Sequence, residues 1–146
     1  MAIKGFFKPK NPSKYQGNLD RIIYRSSWEL KVMRALDKDA RVKCWQSERI
    51  AVPYIDPTKN QRDPPIRRYF PDFVVTYDDD NTFMYEVKPK RETRKPTTQN
   101  KRRLLKESIV YARNIAKWKA AKHYCDERGW HFRILTEDDL FRGKNL

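Results

Sequence analysis

Three residues near the middle of the chain could bind a metal ion and hold a water molecule beside it. Asp72 ends the sequence Phe-Pro-Asp, and Glu86 and Lys88 lie two residues apart in Tyr-Glu-Val-Lys. Two carboxylates held close together repel each other unless a cation lies between them, and Mg²⁺ prefers such oxygen ligands. The ion would lower the pKa of a bound water, and the lysine could hold that water or a phosphate. The residue types therefore predict hydrolysis of a phosphodiester, with the Val87 backbone carbonyl as a further metal ligand.

A predicted β-hairpin would bring these residues together. Apolar and other side chains alternate over residues 67–77 and 82–88, and three aspartates and an asparagine between them favour a turn. If the apolar rows of both strands share one face, alternation places Asp72 opposite either Glu86 or Lys88. Their Cβ atoms would then be ~5 Å apart, or ~7–8 Å apart on a diagonal.

The same hairpin could also be an ordinary solvated surface. An exposed ion pair of Lys88 with Glu86 or with Asp72 would add little stability. Alternation of side chains does not distinguish this structural interpretation from the catalytic one, so both stay open at this point.

The net charge indicates a polyanionic partner. The chain of 146 residues has 33 Lys and Arg against 19 Asp and Glu, a net charge of +14. Such an excess favours nucleic acid, because each neutralised phosphate releases a counterion. A membrane is not expected, since no apolar run approaches the ~20 residues of a spanning helix and no signal peptide begins the chain. Charge alone would equally fit a non-catalytic DNA-binding or structural protein, or an RNA-binding protein without a recognisable RNA motif.

Helices and strands around the hairpin follow from periodicity and turn residues. We predict an extended basic and aromatic arm over residues 1–20, strands over 42–48 and 49–54, a loop over 56–65, a long helix over 97–128 ended by Gly129, a strand over 131–135 and a final helical turn from 136. Residues at helical spacing in the long helix are predicted to face the core: Leu105, Ile109, Ala112, Ala116 and Ala120. This order of elements predicts one mixed α/β domain.

The first helix raises a question about one glutamate. Ser26 and Glu29 have the spacing of a capping box, which predicts a helix that begins after Ser26 and ends near residues 37–40. A glutamate that caps a helix and one that binds a metal are expected to need different orientations. The sequence therefore leaves two competing roles for Glu29.

Several motifs resemble those of a known nuclease superfamily. The pair Phe70-Pro71-Asp72-Phe73 and Tyr85-Glu86-Val87-Lys88-Pro89 resembles the PD-(D/E)XK nuclease core. The upstream Tyr24-Arg25-Ser26-Ser27-Trp28-Glu29 is similar to the first-helix motif of its TnsA-like branch. Further segments resemble the head-completion nucleases of T4-type tailed phages: residues 7–15 with Gly17, Trp45-Gln46-Ser47-Glu48, Pro53-Tyr54 and Arg68-Tyr69-Phe70-Pro71-Asp72.

This resemblance implies a fold, a cofactor and a role. The fold would be a restriction-endonuclease-like α/β single domain over residues 21–146, with a mixed central β-sheet flanked by helices. Glu29, Asp72 and Glu86 would hold Mg²⁺ or Mn²⁺, and Lys88 would be the catalytic lysine. Double-stranded DNA would be the substrate, cut around head filling and head-to-tail joining in the cytoplasm of an infected bacterium. Phage head or portal proteins would be possible partners, and a non-catalytic structural protein of the virion is the alternative.

Eight basic residues in the arm or beside the predicted site are candidate DNA contacts: Arg25, Arg67, Arg68, Lys8, Lys10, Lys14, Lys90 and Arg91. Alternatively, Phe6 and Phe7 strap the arm across the domain and its lysines are merely solvated. The cations of the long helix surround much of its circumference, so no DNA-contacting subset can be chosen from the sequence. Gln99, before that helix, is a candidate helper residue.

The remaining residues of chemical interest are predicted to be structural, without a zinc site or a disulfide: Cys44, Cys125, His123, His131, Trp118 and Trp130. The cysteines are far apart and lack the CxxC spacing of metal sites. Both are expected to be buried thiols, both histidines to be partly buried, and both tryptophans to be core or helix-packing residues.

Overall fold

The computed structural model describes residues 3–141. Eight strands are present in this part of the chain: β1 (Gly5–Phe6), β2 (Ile23–Tyr24), β3 (Val42–Ser47), β4 (Val52–Ile55), β5 (Ile66–Tyr69), β6 (Phe73–Tyr77), β7 (Thr82–Val87) and β8 (His131–Leu135). Three α-helices accompany them: α1 (Ser27–Lys38), α2 (Lys101–Arg128) and α3 (Glu137–Phe141). Single 3₁₀ turns occupy Pro12–Lys14, Leu19–Arg21 and Lys90–Thr93.

The central sheet has four strands in the order β3-β6-β7-β8. The first three are antiparallel neighbours, whereas β8 runs parallel to β7. Parallel neighbours need a crossover connection, and α2 supplies it between β7 and β8. The predicted mixed sheet flanked by helices is therefore confirmed.

Both faces of this sheet are buried. On one face, Leu36 and other apolar residues of α1 pack with Trp45 and Phe73. On the other face, Trp118 of α2 packs with Met84 of β7. Because both faces are covered, the strands that carry the candidate site are held firmly in register.

The β6–β7 register decides whether Asp72 lies opposite Glu86 or opposite Lys88. Phe73 pairs with Tyr85 and Thr76 with Thr82, which places Asp72 opposite Glu86. The strand predicted over 67–77 is wrong in one respect, since it is divided into β5 and β6. Pro71 lies at the break, and proline cannot donate a ladder hydrogen bond. As a result β5 leaves the central sheet and pairs only with β4.

The long helix begins later than predicted and buries a different face. Asn100 caps its N-terminus, so α2 starts at Lys101 instead of residue 97, while Gly129 ends it in the left-handed conformation (φ 71°) as expected. The predicted apolar stripe is wrong in its first half, where Leu105 is 64% exposed and Ile109 40% exposed, but Ala116 and Ala120 are partly buried and pack against the core. The buried residues lie in the second half: Asn114, Trp118, Ala121 and Cys125.

Element lengths explain this error. A helix of 28 residues is about 42 Å long, whereas strands of four to six residues span about 13–20 Å. The first turns of α2 therefore extend beyond the sheet that the rest of the helix covers.

The N-terminal segment contains short elements and packs into the core. Strand β1 pairs with β2, and the rings of Phe7 and Tyr15 lie 6.0 and 4.7 Å from that of Trp45. Phe7 and Tyr15 are buried, whereas Phe6 is 65% exposed. Of the two phenylalanines considered for strapping the arm down, only Phe7 does so.

Two smaller predictions are corrected. His123 is exposed and pairs with Glu127, and His131 is exposed with its ring 4.8 Å from that of Phe83. Both cysteines are free, but only Cys125 is fully buried, and burial raises the pKa of its thiol to about 11.

No helix in the described part of the chain is long and apolar enough to cross a membrane.

Candidate active site

Three adjacent strand ends each carry an acid at the same level. Asp72 precedes β6 and faces Glu86 of β7 across one pair of strands. On its other side Ser47 pairs with Phe73, which brings Glu48 beside Asp72. The Glu48 backbone N–H donates to the Asp72 carbonyl oxygen at 3.2 Å. Asp72 therefore lies between two glutamates.

Glu48 is held in an unusual backbone conformation. Its φ is +50°, in the left-handed region that residues other than glycine seldom adopt, at a cost of about 1–2 kcal/mol. Such strain concentrates at functional sites. Here it ends β3 and accompanies the turn of the Glu48 carboxylate toward the other acids.

A fourth acid comes from the N-terminus of α1. The Ser26 hydroxyl accepts from the Glu29 N–H at 3.1 Å, while the Glu29 carboxylate accepts from the Arg25 N–H at 3.3 Å. In this orientation, carboxylate oxygens of Glu29, Glu48 and Asp72 lie within 4.8 Å of one another. The expected conflict between capping and the site is therefore wrong. The positive end of the helix dipole also favours a carboxylate here.

Two hydrogen bonds fix the carboxylates on the sheet. The Val87 N–H donates to Asp72 Oδ2 at 2.8 Å, and the Tyr69 hydroxyl donates to Glu86 Oε1 at 2.7 Å. Tyr69 and Glu86 are both buried, so their hydrogen bond is largely shielded from water. Val87 thus meets the site through its N–H, and a role for its carbonyl as a ligand stays a prediction.

The positive charge near the four acids does not balance their negative charge. Arg25 binds Glu48 through two nitrogens, each at 3.1 Å, and Lys88 Nζ lies 4.0 Å from Glu86 Oε2. Burial, and then the charge of Glu86, raise the pKa of Asp72 well above its usual range. Burial also raises the pKa of Glu29. For Glu86, burial raises the pKa although the Tyr69 hydrogen bond and Lys88 oppose this.

This donor set fits a hard divalent cation. Carboxylate oxygens converge from α1 and from the ends of β3 and β6, Glu86 of β7 faces Asp72, and no histidine or cysteine belongs to this acidic group. Such ligands suit Mg²⁺ or Mn²⁺ rather than zinc. A cation would also remove the repulsion that raises the pKa of Asp72.

Comparison with known proteins agrees with this geometry. Residues 39–137 match the TnsA-like endonuclease N-terminal family. The chain belongs to this family. A head completion nuclease of Enterobacteria phage T4 is 40% identical to it over 146 aligned positions, which cover 96% of this chain and 95% of the relative. The predicted resemblance is thus confirmed, and the TnsA-like segment includes Asp72, Glu86 and Lys88.

Some of the basic residues predicted to contact DNA lie at or near this nuclease site. Arg25 binds Glu48 there, and Arg91 is exposed in the turn that follows Lys88. Lys90 pairs with Asp138 at 2.8 Å. On β5, Arg67 lies 3.3 Å from Asp56, and Arg68 is exposed above the ring of Phe70.

The arm lysines lie elsewhere. The Lys14 ammonium donates to the carbonyl oxygens of Asp37 and Asp39, and the Lys10 N–H donates to the Asp37 carboxylate. These contacts cap the C-terminus of α1, about 14 Å along the helix from Glu29. Lys8 is exposed in the same segment. The structure therefore does not bring these lysines to the acids, and their DNA contacts stay predictions.

Three residues of this TnsA-like nuclease site were missed by sequence reasoning: Glu48, Tyr69 and Lys117. The Lys117 ammonium lies over the rings of Tyr54 and Tyr69, 5.8 and 5.7 Å from their centroids. Glu48 ended a predicted strand, which could have marked it. Nothing in the sequence placed Lys117 beside β5, because the face of α2 that meets the sheet was misassigned. Gln99 is exposed before α2, and its helper role stays a prediction.

Proposed function

We propose that this TnsA-like nuclease is a divalent-metal-dependent deoxyribonuclease that hydrolyses phosphodiester bonds of double-stranded DNA. The supporting observation is that carboxylate oxygens of Glu29, Glu48 and Asp72 lie within 4.8 Å of one another. Glu86 and Lys88 lie beside them, and the carboxylate charge exceeds the nearby positive charge. A protein that only binds DNA gains nothing from such acids, since they repel phosphate and raise one another's pKa.

In this proposal Glu29, Asp72 and Glu86 hold Mg²⁺ or Mn²⁺. The bound metal supplies a water of lowered pKa and offsets charge that develops on the phosphate. Tyr69 and the Val87 N–H fix the carboxylates, so that few side-chain rotations are lost when the metal binds. Lys88 orients the attacking water or neutralises the scissile phosphate.

A role in phage assembly rests on the T4 relative. That protein is named a head completion nuclease, and the match covers nearly all of both chains. We infer that this nuclease trims or cuts packaged DNA during head completion and head-to-tail joining, in the cytoplasm of the infected host. Phage head or portal proteins would then be its neighbours, and it could remain with the virion.

The competing function is a non-catalytic, basic DNA-binding protein of the virion. The net charge of +14 is equally consistent with it. Metal-dependent cleavage separates the two functions, because a structural protein would bind DNA without cutting it. Parallel assays with RNA separate a deoxyribonuclease from an RNA-binding protein.

The test is cleavage of linear and supercoiled plasmid DNA with Mg²⁺ by the wild type, Asp72→Asn and Lys88→Ala. We expect the wild type to cut, a chelator to stop it, and either substitution to lower the rate by about 10³-fold or more. Asp63→Asn, in an exposed loop, is the matched control and should cut normally. Folded variants that cut as fast as the wild type would overturn the site, and no cleavage with any divalent metal would favour the structural protein.

A further inference from the structure

A basic cleft of about 530 Å³ lies between the segment after β7 and the first half of α2. Five cations line it: Arg91, Arg94, Lys95, Arg103 and Lys106. Two acids also line it, Glu92 and Glu107, and Glu107 is already paired with Arg103 at 3.1 Å. The cleft therefore keeps a net positive charge.

Most of these charges have no partner within the part of the chain that the structure describes. Among residues 3–141, Arg91, Arg94, Lys95 and Lys106 form no salt bridge. Asn114 also lines the cleft, is only 7% exposed, and makes no side-chain hydrogen bond within the same part of the chain. Its amide nitrogen and oxygen are not fully buried, so they can hydrogen-bond a molecule that enters the cleft.

The cleft leads to the proposed active site along both of its walls. Lys106, Val110, Asn114 and Lys117 recur three or four residues apart and therefore share one stripe of α2. Lys117, at the end of this stripe, lies over the ring of Tyr69, whose hydroxyl holds Glu86. The opposite wall begins three residues after Lys88. A strand in the cleft would thus continue toward the metal-binding acids.

We propose that the cleft binds the sugar–phosphate backbone of one separated DNA strand next to the scissile phosphate, an inference that rests on the proposed function. A cleft of about 530 Å³ lies within the ~300–1,000 Å³ range of sites that take one small molecule, which is the size of about one nucleotide of a strand. Tyr111 gives it an aromatic surface for a base, and the cations meet the phosphates. The nuclease therefore prefers DNA that carries a single-stranded end.

Binding without divalent metal tests this inference, because nothing is cut. The probes are a short blunt duplex and the same duplex with a single-stranded overhang. Wild type is compared with Arg94→Ala/Lys95→Ala/Lys106→Ala and with Asn114→Ala, which changes no charge. The matched control is Arg21→Ala/Lys38→Ala/Lys119→Ala, which removes the same charges from exposed positions outside the cleft.

We expect the wild type and the control to bind the overhang about tenfold more tightly than the blunt duplex, and both cleft variants to lose this preference. The salt dependence of overhang binding should also weaken in the triple variant, by ~0.7 in log–log slope for each lost phosphate contact. Cleft variants that keep the preference, or a triple variant that loses affinity equally for both probes, would overturn the inference. Melting temperatures near that of the wild type would establish that the variants are folded.

Cleavage by the wild type, measured separately, keeps the two proposals distinct. If the wild type cuts DNA with Mg²⁺ but the cleft variants keep the overhang preference, only the cleft assignment fails. If the overhang preference depends on the cleft but no divalent metal supports cleavage, the cleft stands and the proposed nuclease chemistry fails.

Discussion

The fold surrounds Asp56 with cations and hydrogen-bond donors but surrounds Asp72 with other acids. Asp56 is 1% exposed and lies 3.3 Å from Nε of both Arg67 and Arg113. It also accepts from the N–H and the hydroxyl of Thr58, at 2.9 and 2.6 Å. Burial alone would raise the pKa of Asp56, but the Thr58 hydrogen bonds and the two arginines outweigh it, so the net shift is downward.

Asp72 has the opposite balance. Its nearest charged neighbours include Glu29, Glu48 and Glu86, and burial with this like charge raises its pKa. A buried charge whose partners are supplied by the protein stabilises the fold. A charge left among like charges, as at Asp72, lacks such a partner and indicates that a ligand supplies it. In the proposed function, a divalent metal ion supplies this missing partner.

The largest expected effect is on stability and follows from breaking the Asp56 cluster, in which Arg67 and Arg113 compensate the buried carboxylate. Asp56→Ala leaves Arg113, whose side chain is 29% exposed, and the Thr58 N–H without their buried acceptor, and we expect the free energy of unfolding to fall by about 1.5–3 kcal/mol. Urea denaturation measures it. Asp63→Ala, at an exposed position in the same loop, should change stability by less than about 0.5 kcal/mol. A loss from Asp56→Ala no greater than that of this control would show that the cluster does not stabilise the fold.

A smaller effect, on metal affinity, is expected when the hydrogen bond that holds Glu86 in the candidate site is removed. Tyr69→Phe removes the hydroxyl that holds Glu86, and groups that orient metal ligands typically contribute 10–100-fold to affinity. We therefore predict metal binding weaker by about 10-fold or more, measured by calorimetry with Mn²⁺.

Tyr54→Phe is the control for this variant. Tyr54 is a buried neighbour on β4 whose hydroxyl makes no hydrogen bond within residues 3–141. It should bind metal like the wild type. Equal affinity of all three proteins would remove Tyr69 from the site.

The two aspartates should also differ in the pH dependence of stability. Because the folded pKa of Asp72 is raised, the unfolded chain releases its proton first, and stability falls as pH rises through about 4 toward the raised pKa. Because the folded pKa of Asp56 is lowered, its contribution is present above pH ~4 and is lost as pH falls below it. Unfolding of Asp72→Asn and Asp56→Asn between pH 3 and 8 without metal checks both directions, with differences of about 1 kcal/mol.

The hairpin of the candidate site was predictable because alternation and burial restrict its register to two choices. Asp72, Glu86 and Lys88 follow from that restriction, and the motif pattern adds Glu29. The fold class follows from the order of helices and strands. Each of these inferences depends on local spacing.

Contacts between distant segments were not predictable. Glu48 reaches Asp72 through the β3–β6 register, which local periodicity does not determine. Lys117 reaches Tyr69 because α2 buries the stripe of Trp118 and not that of Leu105, a choice made by the position of the sheet. The break at Pro71 was visible in the sequence, but alternation on both sides of it concealed the end of the strand.

If a metal ion is the missing partner of the acids around Asp72, thermal unfolding of the wild type and Asp72→Asn with and without Mg²⁺ should reveal it. The side-chain amide of this variant can still accept the Val87 hydrogen bond through its oxygen, so the substitution removes mainly the like charge. Without metal, we predict that the variant is more stable than the wild type by about 1 kcal/mol; with Mg²⁺, the wild type should gain stability and the variant should not. A variant less stable than the metal-free wild type, together with no effect of Mg²⁺ on either protein, would show that the acids around Asp72 do not bind a metal ion.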